Sequence, residues 1–249
     1  APPWKGKAET MASLKIHPLH VGTITRPIAN FCQGLEPGTV SDLPLICWYI
    51  EGSDKRILVD TGGGDPAVAH PRWLPYKRED DQTIENALKK LGLTCDDIDM
   101  VIVTHLHWDH SADNMLFQNA EIIVQEEELR SARLPYPDTA HVYIPSVIDD
   151  IDYTVISGDK EIAEGVQVIF TPGHTDGMQG VLVADQKRSI FIASDTLPLF
   201  NNIEQDHLVM SDIHVDLHKY HESLNKIAAL SAFILPGHDF KVFEREVYC

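Results

Sequence analysis

Four side chains that could ligate metal crowd into six residues of this chain: His105, His107, Asp109 and His110 in the stretch Thr-His-Leu-His-Trp-Asp-His at 104–110. In extended backbone, His-x-His presents both imidazoles on one side. The turn that follows can swing Asp109 and His110 toward a second centre nearby. Neutral imidazole nitrogen and carboxylate oxygen are ligands that Zn²⁺ and similar borderline ions prefer. Three later stretches share one design, an apolar run that stops at a turn and ends in a candidate ligand. They are Phe-Thr-Pro-Gly-His at 170–174, Ile-Ala-Ser-Asp at 192–195 and Leu-Pro-Gly-His at 235–238. Five of the 13 histidines and two carboxylates, Asp195 among them with His174 and His238, therefore sit where strands end. An open zinc site uses three protein ligands, so seven ligands fit two metals with one carboxylate bridging.

Elements must place these junctions on one edge. Residues 99–103 form a short β-branched run that reads as a buried strand leading into the cluster. Further strands are expected at 14–16, 21–25, 45–50, 56–59, 121–124, 166–170, 178–183, 189–192 and 233–235, with a hairpin-like connection at 184–188. Residues 83–93 carry apolar side chains at i, i+3, i+4 and i+7, the spacing of an amphipathic helix. Other helices are expected over 125–132 and 216–230. Asp60 ends the 56–59 strand and either holds a ligand histidine or simply forms the turn. Gly62–Gly64 after it permits a tight turn with positive φ. The proline- and aromatic-bearing stretches 65–82 and 133–150 read as long irregular loops, candidates to wall a pocket or to pair subunits as a homodimer. Strands followed by helices, with no repeat and no low-complexity linker, suit an α/β protein with sheets sandwiched between helices.

Composition narrows the function. A chain of 249 residues, 43% hydrophobic and 23% charged, is ordinary for a globular enzyme. The formal charge of −18 argues against nucleic acid and anionic membrane surfaces, both of which reward lysine and arginine clusters. It disfavours strongly anionic substrates too, unless bound cations neutralise the site. Cys32, Cys47, Cys95 and Cys249 form no Cys-x-x-Cys, which points to reduced thiols in a cytoplasmic protein. No apolar stretch reaches transmembrane length, and no signal-peptide core opens the chain. Residues 1–10 read as a leader ahead of Met11, and 11–249 as a single domain.

The motifs carry a resemblance. Val-Asp-Thr-Gly at 59–62, His-Leu-His-Trp-Asp-His at 105–110, Ile-Ile-Val-Gln at 122–125, Gly-Val-Gln-Val-Ile at 165–169, Thr-Pro-Gly-His at 171–174, Asp195 and Gly-His-Asp at 237–239 run through nearly the whole chain. Together they resemble the metallo-β-lactamase superfamily, and within it the N-acyl-homoserine lactonase family of quorum-quenching enzymes. The resemblance implies an αββα sandwich with two zinc ions at one edge, iron or manganese being substitutes. It implies that His105, His107 and His174 hold the first ion, Asp109, His110 and His238 the second, and that Asp195 bridges them. His107 stands where flavodiiron relatives have an acidic ligand, and Asp195 where many true β-lactamases have cysteine. Eleven residues follow His238, too few for the glutathione-binding domain of glyoxalase II, and no β-CASP nuclease insertion is present. Pro198 occupies the place of a tyrosine that polarises the substrate carbonyl in the lactonases; Tyr143, Tyr220, His214 and His218 are candidates to replace it.

The implied chemistry is the opening of a lactone ring, of an N-acyl-homoserine lactone or a related lactone. A metal-bridging hydroxide attacks the carbonyl, and Asp109 relays its proton to the leaving group. A thioesterase or other esterase on the same metals is the alternative, and a non-catalytic ligand-binding protein on this scaffold a more distant one. The partner is a small lactone or ester, with neither nucleic acid nor membrane involved.

Overall fold

The structure is a computed structural model that describes residues 13–185, 188–204 and 206–249. The leader expected at 1–10 and the tip of the 184–188 connection lie outside them. In chain order the elements are β1 (Lys15–Pro27), β2 (Val40–Glu51), β3 (Ile57–Val59), β4 (Tyr76–Lys77), α1 (Ile84–Lys90), β5 (Met100–Ile102), α2 (Trp108–Ser111), β6 (Glu121–Gln125), α3 (Glu126–Arg133), α4 (Pro145–Asp149), β7 (Tyr153–Ile156), β8 (Lys160–Ala163), β9 (Val166–Phe170), β10 (Gln179–Ala184), β11 (Ser189–Ser194), α5 (Leu217–Ala229) and β12 (Phe233–Pro236).

These strands build a seven-stranded sheet in the order β4-β1-β2-β3-β5-β6-β7 and a five-stranded sheet in the order β12-β11-β10-β9-β8. Period-two alternation sorts their side chains. Ile57, Val59, Met100, Ile102 and Ile123 face the core between the sheets, meeting Val166, Val168, Val181, Val183, Ile190 and Ile192 from the other side. The alternate residues Leu58, Val101 and Val124 pack outward with Ile84 and Leu88 of α1 and Leu129 of α3. On the far sheet, Phe191 and Ala193 pack against Tyr220, Leu224 and Ile227 of α5. The result is four layers, αββα. The strands of the 56–59 and 99–103 regions are buried on both faces, which explains their unbroken apolar runs.

Strand direction decides where the candidate ligands gather. β3, β5, β6 and β7 run parallel. β9 and β11 each pair antiparallel to β10, and β12 runs parallel to β11. The C-terminal ends of β9, β11 and β12 therefore leave their sheet on one edge, as do those of β3 and β5 on theirs. The two edges are joined where Gln179 N–H donates to the Thr104 carbonyl (3.0 Å) and the Gln179 amide to the Val103 carbonyl (2.7 Å).

Several expectations need correction. The strands expected at 14–16 and 21–25 are one strand, β1, whose register slips between His20 and Gly22; a bulge absorbs the extra residue without ending the pairing. The 65–82 segment is not structureless, since β4 adds an edge strand there, and α4 lies within 133–150. Strands β7 and β8 were not expected from the sequence. They flank the sheets, and of their eight residues Ile156 alone is buried, so no apolar alternation marks them.

Candidate metal centre

The centre grows from the turn after β5. Thr104 and His105 follow the strand, His107 is the extended N-cap of α2, and Asp109 and His110 lie on that short helix. Asp60 holds this turn. Its buried carboxylate accepts from Thr104 N–H (2.7 Å), Thr104 Oγ1 (2.8 Å) and His110 Nδ1 (2.8 Å). Asp60 is thus a holder of His110 as well as a turn residue. Its φ of +62° is in the left-handed region, a conformation that costs a non-glycine residue of order 1 kcal/mol and that the three bonds offset. Gly62 (φ +92°) and Gly64 (φ +70°) complete the turn.

The five-stranded sheet contributes from separate turns. His174 follows β9 and donates from Nδ1 to the Ile213 carbonyl (2.9 Å). His238 follows β12 and donates from Nδ1 to the Pro44 carbonyl (2.9 Å). Asp195 follows Ser194, itself at φ +46°, and is 5% exposed. With Nδ1 protonated in His110, His174 and His238, each ring turns a bare Nε2 lone pair toward Asp195.

All seven expected residues come together. Ligand atoms lie within 4.8 Å of one another in each of three groups: His105, His107 and His174; His105, His110 and Asp195; and Asp109, His110 and His238. His107 Nδ1 and His174 Nε2 are 3.2 Å apart. His238 Nε2 lies 2.8 Å and His110 Nε2 3.2 Å from Asp195 Oδ1. The two approaches to Asp195 lack hydrogen-bond geometry: His105 Nε2, His110 Nε2, His238 Nε2 and Asp195 Oδ1 are buried with no hydrogen-bond partner. Buried acceptors so placed cost free energy unless a cation satisfies them. The electrostatics agree. Burial, with neighbouring imidazoles, holds His105 and His107 well below the ordinary histidine value, and burial lowers His174 as well. Burial would also lower His110 and His238, but the Asp195 charge outweighs it and raises both. Burial likewise favours a neutral Asp195, yet His238 and His110 pull its carboxyl well below the usual range. A carboxylate that draws protons onto the imidazoles around it draws a cation for the same reason, and nitrogen and carboxylate donors in tetrahedral-sized groups fit zinc-like divalent ions.

Beside the cluster opens a cavity of about 250 Å³ that Asp109, partly exposed, lines together with His107, His174 and Asp195. Both long loops wall it, through Arg72 and Trp73 from one and His141 from the other. Trp73 Nε1 donates to the His141 carbonyl (2.8 Å), and its ring stacks on Trp108 at 4.7 Å. Arg26, although at the cavity, spends its guanidinium on the Thr25 and Trp73 carbonyls. Of the residues considered as stand-ins for a tyrosine at 198, His214 alone lines the cavity, and its Nδ1 is buried without a hydrogen-bond partner. Tyr220 is fully buried with its hydroxyl on the Thr196 carbonyl (2.7 Å), Tyr143 packs against His107 at 5.3 Å, and His218 is exposed. Pro198 serves the backbone instead, its carbonyl accepting from His238 N–H (2.7 Å).

Known proteins agree with this geometry. The family model of the metallo-β-lactamase superfamily matches residues 45–238. An N-acyl homoserine lactonase of Bacillus thuringiensis is 31% identical over 209 residues, 79% of this chain and 81% of its own length. One from Bacillus sp is 35% identical over 164 residues, 61% of this chain, and the match spans 63% of that enzyme. A solved N-acyl homoserine lactone hydrolase, with the product N-hexanoyl-L-homoserine bound at its catalytic metal centre, superimposes with a TM-score of 0.80 at 27% identity, over 92% of this chain and 95% of that one. The chain belongs to the metallo-β-lactamase superfamily, and it is a hydrolase whose relatives include N-acyl homoserine lactonases.

Proposed function

We propose that this enzyme opens a lactone ring, of an N-acyl homoserine lactone or a close relative, with two zinc ions. The observation that carries the reading is the convergence of His105, His110 and His238 Nε2, buried and unpartnered, on Asp195 beside a cavity. In this reading His105, His107 and His174 hold one ion, Asp109, His110 and His238 the other, and Asp195 lies between them. When bound, the ions supply Lewis-acid polarisation of the ester carbonyl and water with a pKa lowered to roughly 7. Iron or manganese would serve in the same positions.

The residues of the chain do the rest. Asp109 borders the cavity with its carboxylate partly exposed, so it can take the proton of the attacking water and return it to the ring oxygen as that C–O bond breaks. The product is the hydroxy acid, and no protein nucleophile intervenes. His214 donates an imidazole N–H to the bound lactone, a role for which Pro198 has no donor. Trp73 and Trp108 offer an apolar wall for an acyl substituent. Asp60 keeps His110 in the tautomer that leaves Nε2 free. We place the activity in the cytoplasm, where thiols such as Cys32, Cys47, Cys95 and Cys249 stay reduced. No helix among the described residues is long and apolar enough to cross a membrane.

The test is a hydrolysis screen of zinc-loaded protein against acyl homoserine lactones, other lactones, thioesters, aryl esters and phosphoesters, run beside His214→Ala. Lactones should be turned over best, and His214→Ala should lose roughly 10²–10³-fold in kcat, as for loss of one carbonyl-polarising donor. Brisk thioester or phosphoester hydrolysis with no lactone turnover overturns the assignment.

A further inference from the structure

Glu128 is a carboxylate, 0% exposed, in the first turn of α3, and the chemistry above does not use it. Its Oε1 accepts from Leu106 N–H (2.8 Å), the residue between His105 and His107. Its Oε2 accepts from Thr175 Oγ1 (2.6 Å) and Gly177 N–H (3.2 Å), in the turn that carries His174. One carboxylate thus ties together two ligand-bearing turns that leave different sheets. The turn is seated tightly on it: a Cβ on Gly177 would lie 2.1 Å from Glu128 N, so no larger residue fits. Burying a carboxylate costs several kcal/mol unless its lone pairs are filled. Here the three bonds all come from neutral donors, and all three donors belong to the turns around His105, His107 and His174. Asp60 makes the corresponding bonds around His110.

We propose that Glu128 is the positioning residue for one half of the centre: its carboxylate holds His105, His107 and His174 in register and so sets the metal affinity of that half alone. The inference rests on the two-metal reading. Glutamine at 128 can still accept from Leu106 N–H, but its amide N–H₂ would then face the Gly177 N–H, donor against donor.

The experiment measures metal affinity by chelator competition and, with cobalt substituted for zinc, by ligand-field absorption. Glu128→Gln is placed in two backgrounds, His238→Ala, which leaves the His105, His107 and His174 group, and His174→Ala, which leaves the other. The expected result is a 10–100-fold loss of affinity in the first background, with an altered cobalt spectrum, and less than about threefold in the second. Equal losses in both, or none in either, overturn the proposal while the two-metal reading stands. Wild-type protein that binds no second equivalent removes that reading, and the proposal with it. Should Glu128→Gln fail to fold, Thr175→Val removes one bond of the three with the shape retained, and the same asymmetry is required of it.

Discussion

The seven-stranded sheet delivers His105, His107, Asp109 and His110 from one continuous turn, whereas the five-stranded sheet delivers His174, Asp195 and His238 from three separate ones. The means of orientation differ as well. His110 is fixed by a side chain, the Asp60 carboxylate. His174 and His238 are fixed by the backbone carbonyls of Ile213 and Pro44. A ring held by a side chain can be released by one substitution elsewhere; a ring held by a main-chain carbonyl cannot. The His110 ring is therefore the more exposed to a substitution at one residue that is not itself a ligand.

The largest effect is expected where both sides meet. Asp195→Ala leaves His105, His110, His174 and His238 with no shared anion, so metal content measured by elemental analysis should fall from two equivalents toward zero, and lactone turnover with it. Retention of both ions would show that the two sides bind independently. Next, Asp109→Asn keeps an oxygen for coordination but has no proton relay. It should retain most of its metal and lose about 10²–10⁴-fold in kcat, read from steady-state kinetics at full metal loading. Asp60→Asn probes the side-chain hold directly. It should cost 10–100-fold in affinity for the ion on the His110 side, and about 1–3 kcal/mol of stability from the buried donors it leaves unmatched. Chemical denaturation and chelator competition check the two halves of that statement.

The smallest effect concerns Asp113, which pairs with Arg78 at 2.9 Å on the same flank. Burial pushes its carboxyl up from 3.8 to about 6. A carboxyl raised in the folded state binds more protons there than in the unfolded chain, so its contribution is most favourable below pH 3.8. Stability should fall as pH rises through about 6, by of order 1–3 kcal/mol. In Asp113→Asn that slope of unfolding free energy between pH 4 and 6 should flatten. An unchanged slope would place the titration elsewhere.

The contrast between the two sides also explains what the sequence reveals and what it hides. Contiguous ligands announce themselves, because a run of three imidazoles and a carboxylate has few other uses. His174, Asp195 and His238 are legible only through the apolar runs before them. Glu128 is not legible: it is the third of three consecutive glutamates on a helix whose first turn looks solvated, and only the packing of the His174 turn onto α3 distinguishes it. His214 is one candidate among four, and cavity placement alone separates it from Tyr143, Tyr220 and His218. β7 and β8 escape sequence reading because flanking strands need no apolar alternation. β1 reads as two strands because Pro18, between two histidines, looks like a break, while the pairing with β2 in fact continues through it and past a bulge.

By itself the sequence determined the class of ligand, the number of candidate ligands and the layering, since periodicity and residue type act locally and survive without coordinates. Tertiary structure decided which nitrogen of each histidine is free, which carboxylate orients which turn, and what lines the cavity. These depend on strand direction and on the approach of segments far apart in the chain, such as Pro44 to His238 and Glu128 to Thr175. Such contacts form only when buried polar groups must find partners inside a packed core, and no local pattern of residues records which partner each one finds.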